Sequence, residues 1–270
     1  MQLTNREFLI YASLLYEGNW DKIYRSIVNK ELKIDNEEII YKIRSLKCGV
    51  LTMFDENYPE YLHNIQKPPF VLYYYGDISL IHNTEKNMSV IGSREPSEYG
   101  RIATARLVHE IAEKYVIVSG LAIGIDAIAH KSALEVGGKT IAVLGNGIEY
   151  CYLKTNEGLY WDIRNNKDCL VISELPLNTK PNKEKLPERN RLVAAFGQKL
   201  IITEAKSHSG TAITTYYALN MGKDVMVLPT HAFNDSLCNA LIREGAILIN
   251  SFRDFYDEVG EKYEENLLPI

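Results

Sequence analysis

Two stretches decide the fold: SVIGSREPSEYG (89–100) and VIVSGLAIGIDAIAH (116–130). Each runs an apolar strand into a small polar turn and then into a helical pattern. The first strand, Met88 to Ile91, delivers Gly92, Ser93 and Arg94 to its turn, and the second, Val116 to Val118, delivers Ser119 and Gly120. In an open parallel sheet the strand C-termini share one edge, and ligands bind in the crevice outside it. Helix N-termini at that edge present unpaired N–H groups and partial positive charge, which suit an anion. Arg94 adds a planar guanidinium able to grip a phosphate at two points. Small residues at Ser119, Gly120, Ala122 and Gly124 let backbone come close to a ligand. A single glycine turn after a strand also closes ordinary tight connections, so the weight rests on two such turns and an arginine sharing one edge.

Outward from this pair, strands and helices alternate to the end of the chain. Strands are expected near 88–92, 116–119, 140–145, 169–174, 199–204, 225–229 and 246–250. Runs such as TIAVLG, CLVIS and KLIIT are continuously apolar, as strands covered by helices on both faces must be. The fold class is therefore α/β, a doubly wound, mostly parallel sheet. Ahead of it, residues 1–57 read as a small all-α module, with Phe8, Leu9, Ala12, Leu15 and Tyr16 at helical spacing and Gly18 and Gly49 as helix stops. Residues 58–87 form a linker and leading strand segment, in which Pro68 and Pro69 exclude helix and VLYYY suits a strand. The main body is 88–270.

The formal net charge of −5 excludes a protein that coats duplex DNA by overall basicity and requires any nucleic-acid site to be local. Four scattered cysteines offer neither a disulfide framework nor zinc spacing. No apolar run approaches the ~20 residues that cross a bilayer, and the N-terminus lacks a cleavage site of small residues, so the cytoplasm is the expected location.

The other carboxyl-edge loops carry donors too. ISELPLNTKPNKEKLPERNRLVAAFG places Lys180, Lys183, Lys185, Arg189 and Arg191 around a helix start, where the macrodipole disfavours cations unless an anion compensates. Taken alone, that loop reads as a solvated basic face. Lys206, Ser209, Gly210 and Thr211 precede the helix after the fifth of these strands, as caps or phosphate donors. Lys154 and Asn156 follow the third, and Asn239 follows the sixth. For catalysis the inventory is poor. Asp126 and His130 lie four apart on one helix and can touch, but there is no nucleophile elbow, metal cluster or paired carboxylates, and GNGIEY lacks the third glycine of a dinucleotide fingerprint. No cofactor, metal or catalytic residue is assigned, and the chain is read as not an enzyme.

In order along the chain, YPEYLHNI, VIGSREPSEYG, VSGLAIGIDAIAHKSAL, GKTIAVLGNGIEYCYLKTN, ISELP, PERNRLVAAF, EAKSHSGTAITT and NALIREGA resemble the motifs of the DprA (Smf) family of DNA-processing proteins, from about Tyr58 to Ala246. The resemblance implies an extended Rossmann-like domain with a small SAM-like helical domain at the N-terminus. It also implies single-stranded DNA binding without sequence choice, protection of incoming DNA in natural transformation, loading of a RecA-type recombinase, and a homodimer. Matched by position, Gly92, Ser93, Arg94, Ser119, Gly120, Gly124, Lys154, Arg189, Asn190, Arg191, Lys206, Ser209, Gly210, Thr211 and Asn239 are the implied DNA-binding residues. The chain departs from the family pattern at Leu186, where an aromatic is usual, at Tyr152 and Leu153, at Thr230, at Glu149, and around Asn239, where glycines are replaced. It also stops about where the sheet ends, which resembles the shorter members without a C-terminal winged helix. An alternative from another class is a LOG-like phosphoribohydrolase using SGTAITT as its phosphate loop, although HSGT stands where that family has PGGxGT. A third reading makes the tyrosine-rich segment and the C-terminal helix docking surfaces.

Overall fold

The apolar runs form one sheet in the computed structural model, which describes residues 3–34, 36–151, 153–182, 185–207 and 209–263, Lys185 by its backbone alone. Among the described residues the strands are β1 (Gly49–Thr52), β2 (Val71–Gly76), β3 (Asn87–Ile91), β4 (Val116–Ser119), β5 (Thr140–Val143), β6 (Leu170–Ser173), β7 (Lys199–Ile202), β8 (Val225–Val227) and β9 (Ile247–Leu248). Their spatial order is β1-β2-β6-β5-β4-β3-β7-β8-β9. The β1–β2 and β2–β6 pairs are antiparallel and all other pairs parallel. The chain adds β4, β5 and β6 on one side of β3, then β7, β8 and β9 on the other. The boundary between β3 and β7 is therefore the topological switch point, where a crevice opens at the carboxyl edge.

The helices are α1 (Asn5–Leu15), α2 (Trp20–Val28), α3 (Glu37–Arg44), α4 (Glu60–His63), α5 (Glu98–Ile111), α6 (Ile125–Glu135), α7 (Glu157–Asn165), α8 (Lys185–Phe196), α9 (Gly210–Asn220), α10 (Leu237–Arg243) and α11 (Phe252–Glu258). Neighbouring strand residues point to opposite faces. Leu170 and Ile172 therefore pack in a core with Leu192 and Phe196 of α8, Ala218 of α9 and Leu241 of α10. Val171 between them joins a core with Leu9 of α1, Ile23 of α2 and Ile163 of α7. Met88 and Val90 meet Leu107 of α5, Ala129 of α6 and Phe255 of α11. Helices on both faces explain why the strand interiors carry no polar alternation.

At the N-terminus, Thr4 and Glu7 close a capping box on α1. Trp20 stacks on Phe70 and donates its indole N–H to the Pro68 carbonyl at 2.7 Å, fastening α2 to the segment before β2. One expectation is corrected here. Gly49 does not stop a helix, because α3 ends at Arg44 and Gly49–Thr52 pairs with Tyr74, Tyr73, Leu72 and Val71. The sheet thus starts within the first 57 residues. Four residues are too few to display a period, and the partner strand supplies what the local sequence lacks.

Candidate nucleic-acid interface

The turn after β3 is built by hydrogen bonds to its neighbours. The Ser93 N–H donates to the Glu204 carbonyl at 2.7 Å, and the Ser93 carbonyl accepts the Ile125 N–H at 3.0 Å. This locks the turns after β3, β4 and β7 together. Gly124 is required at the junction: its φ is +82°, and a Cβ there would overlap the Ser93 and Arg94 backbone. The Glu204 carboxylate accepts the Ser97 N–H at 2.9 Å and also the Ser97 hydroxyl, holding the start of α5 to the end of β7.

These turns enclose a cleft of about 400 Å³ at the switch point. Gly92, Ser93, Arg94, Gly120, Arg189, Asn190, Lys206, Ser209, Gly210 and Thr211 all line it. Arg94 and Lys206 are exposed. Among the described residues neither side chain makes an ion pair or hydrogen bond, so their donors are free for an incoming anion. Ser209 is the N-cap residue of α9 by backbone, yet its hydroxyl donates to the Lys206 carbonyl at 2.8 Å and leaves the first N–H groups of the helix uncapped by a side chain. Thr211 donates to the Gly92 carbonyl at 3.2 Å, joining α9 to the first turn.

The floor of the cleft holds two buried charged side chains, Arg189 and Asp126, that act on each other electrostatically. Arg189, 8% exposed, donates to the Gly120 carbonyl at 2.6 Å and to the Val143 carbonyl. The Asp126 carboxylate accepts the Gly120 N–H at 3.1 Å and the Ala122 N–H at 3.3 Å. Gly120 is thus held through its carbonyl by Arg189 and through its N–H by Asp126, and a side chain there would intrude on the guanidinium. Leu121 beside it adopts a left-handed φ of +54° that this clamp sustains. Burial pushes the Asp126 carboxyl up against the opposing pull of Arg189 and the two N–H groups. Burial likewise lowers Arg189, with Asp126 opposing it. Asp126 is therefore not the partner of His130 that the spacing suggested. His130 contacts the Thr140 hydroxyl at 2.6 Å instead.

Several expected site residues lie elsewhere. Arg191 does not face the cleft: 2% exposed, it pairs with Glu174 through both terminal nitrogens and donates to the Gln66 and Lys67 carbonyls. Residues two apart on a helix differ by about 200° in direction, so Arg189 and Arg191 cannot line one groove. Of the cations that sequence reading left to an anionic ligand, Arg191 is paired with Glu174, and Arg189 feels the nearby Asp126. Ser119 is buried and donates to the Val90 carbonyl at 2.7 Å. Asn239 accepts the Thr230 N–H at 3.0 Å and donates to the Thr230 and His231 carbonyls, bracing the loop after β8. Lys154 is exposed beside Leu153 and Asn156, which line a smaller cavity of about 100 Å³ adjoining the cleft at Arg94 and Arg189. Leu186 lines that cavity as well and sits over Gly145. Lys180 belongs to a different groove, against Leu14 and Ile39 of the helical module. Lys183, His208 and Tyr152 lie outside the described residues, as does the Lys185 side chain. Sequence reading missed the clamping role of Asp126 and the brace from Glu204; the one signal for each was a carboxylate at the end of a strand or in the first turn of a helix.

Fold and cleft define a Rossmann-like α/β protein with an open cationic crevice at the switch point. The family model described as DNA recombination-mediator protein A matches residues 49–260. The DNA processing protein DprA of Streptococcus pneumoniae is 39% identical over 215 residues, 78% of this chain and 74% of that protein. An X-ray structure of DprA from Streptococcus pneumoniae superposes with a TM-score of 0.79 at 32% identity, covering 97% of this chain and 95% of the other. DNA processing protein A from Helicobacter pylori, solved to examine its single-stranded DNA binding mode, superposes with a TM-score of 0.72 at 30% identity, covering 82% of this chain and 99% of the other. The chain belongs to the DprA family of DNA-processing proteins. Among the described residues no helix is long and apolar enough to cross a membrane.

Proposed function

We propose that this protein binds single-stranded DNA through its phosphate backbone in the switch-point cleft, without sequence choice and without cleaving it. The observation that carries this reading is the convergence of Arg94 and Lys206, neither of which makes an ion pair or hydrogen bond among the described residues, with the open turns of β3, β4 and β7. A groove of backbone donors and cations tracks phosphate and leaves base identity unread. Asp126 in the floor is committed to two N–H groups, and the buried His130 on the same helix to Thr140. Kinship with the DprA proteins supports the wider role: protecting incoming DNA and helping to load a RecA-type recombinase in natural transformation, as a homodimer in the cytoplasm. In this reading 88–270 is the DNA-binding body, 1–57 an accessory helical domain and 58–87 its connection. Fluorescence polarisation with single-stranded and duplex oligonucleotides across a salt series tests the proposal. Tighter binding of the single strand, falling steeply with salt as counterions are released, is expected; a flat salt response or a preference for duplex would overturn it.

A further inference from the structure

The loop between β8 and α10 presents an aromatic ring that the fold does not use. Phe233 is 106% exposed and has a φ of +65°, the left-handed region that a bulky side chain enters at a cost. Leaving a phenyl ring wholly in water forfeits the burial energy that normally places it. Two unfavourable terms thus meet at one residue, and among the described residues its ring has no aromatic or cationic partner.

The loop is nonetheless anchored at both ends. The Thr230 hydroxyl donates to Ser236 at 2.7 Å, Asn239 grips Thr230 and His231, and the Leu237 N–H donates to the Ala205 carbonyl at 2.9 Å, one residue before Lys206. On its other side Tyr99, near the start of α5, donates to the Pro229 carbonyl at 2.8 Å and lies 5.5 Å from the His231 ring. The loop is therefore continuous with both walls of the cleft, the Arg94 turn that leads into α5 and the Lys206 turn after β7. The polar contacts sit at its base, and the residues from His231 to Asp235 are exposed.

We propose that Phe233, with His231 and Tyr99 beside it, is a stacking rim for nucleobases of the strand whose phosphates occupy the cleft. The inference rests on the proposed single-strand binding and adds to it a contact with bases. A ring face accepts any base, so the rim adds affinity without sequence preference. It also places an aromatic on the side of the cleft away from Leu186, where the sequence offers an aliphatic side chain.

The test compares wild type, Phe233→Ala and Phe233→Trp, each binding an oligothymidylate and an abasic oligomer with the same number of phosphates. Wild type should bind the oligothymidylate more tightly. Phe233→Ala should lose roughly fivefold or more on the oligothymidylate, the lower range for one stacked base, and little on the abasic oligomer. Phe233→Trp should restore binding, its indole fluorescence quenched by oligothymidylate and not by the abasic oligomer. Equal affinities of wild type and Phe233→Ala for oligothymidylate overturn the inference and leave the phosphate cleft standing. A change in solution mass of Phe233→Ala without DNA also overturns it, by assigning the ring to an interface between copies. Failure of wild type to bind either oligomer removes both readings.

Discussion

Arg94, Arg189 and Arg191 carry the same charge and do three different jobs. Arg94 lines the cleft and, among the described residues, has no ion pair or hydrogen bond, so Arg94→Ala should leave the fold intact and weaken single-strand binding by about 1–3 kcal/mol, the range for a charge-assisted contact; unchanged affinity would remove it from the site. Arg191→Ala strands the largely buried Glu174 carboxylate and should cost about 3–5 kcal/mol of stability in urea denaturation. Glu174→Leu added to it should recover part of that loss, and full stability of the single variant would refute the role given to the pair. His130 predicts a pH response. Burial holds its folded-state pKa at about 3, below the ordinary 6.5. Between those values the unfolded chain takes up a proton that the folded one refuses, so stability falls as pH drops through that window and is unaffected above it. Lowering pH from about 7 to about 5.5 should cost the wild type about 1 kcal/mol more than it costs His130→Gln; parallel losses in the two proteins would contradict the buried, neutral imidazole.

At the scale of elements, the parallel strands were legible because each is an apolar run between turn residues, and burial on both faces leaves no other pattern available. β1 was not, since GVLT is short and owes its pairing to β2. The cleft was legible as a set of loops and less so as a set of side chains. RNR read as one basic cluster, whereas helical phase alone separates Arg189 from Arg191. Asn239 and Ser119 look like donors in sequence, and only the fold shows that they bind their own backbone. α8 also receives the helical module: Lys67 lies 2.8 Å from both Asp21 of α2 and Glu188 of α8, above the Trp20 ring. Because these groups are partly exposed, Lys67→Met should cost about 1 kcal/mol or less. It should raise hydrogen exchange in α2 while leaving oligonucleotide affinity unchanged; unaltered exchange in α2 would show that the bridge does not hold the module.

Considered as a whole, the molecule sets a small cationic crevice within a body of net charge −5, with Arg189 at its floor facing the buried Asp126 and Arg191 paired with Glu174 away from it. Among the described residues, Arg94 and Lys206 are the cleft-lining cations that make no hydrogen bond or ion pair. Their field fades within the ~10 Å screening distance of ordinary buffer, and the net charge of −5 opposes a polyanion at longer range. On the proposed function, a DNA strand would therefore not be drawn in from afar but would arrive by unsteered diffusion. Stopped-flow measurements should find that added salt acts chiefly by hastening departure, with the rate of arrival changing far less. That kinetics would keep the protein off stray polyphosphates encountered in passing and reserve its grip for chains long enough to be held at many points at once.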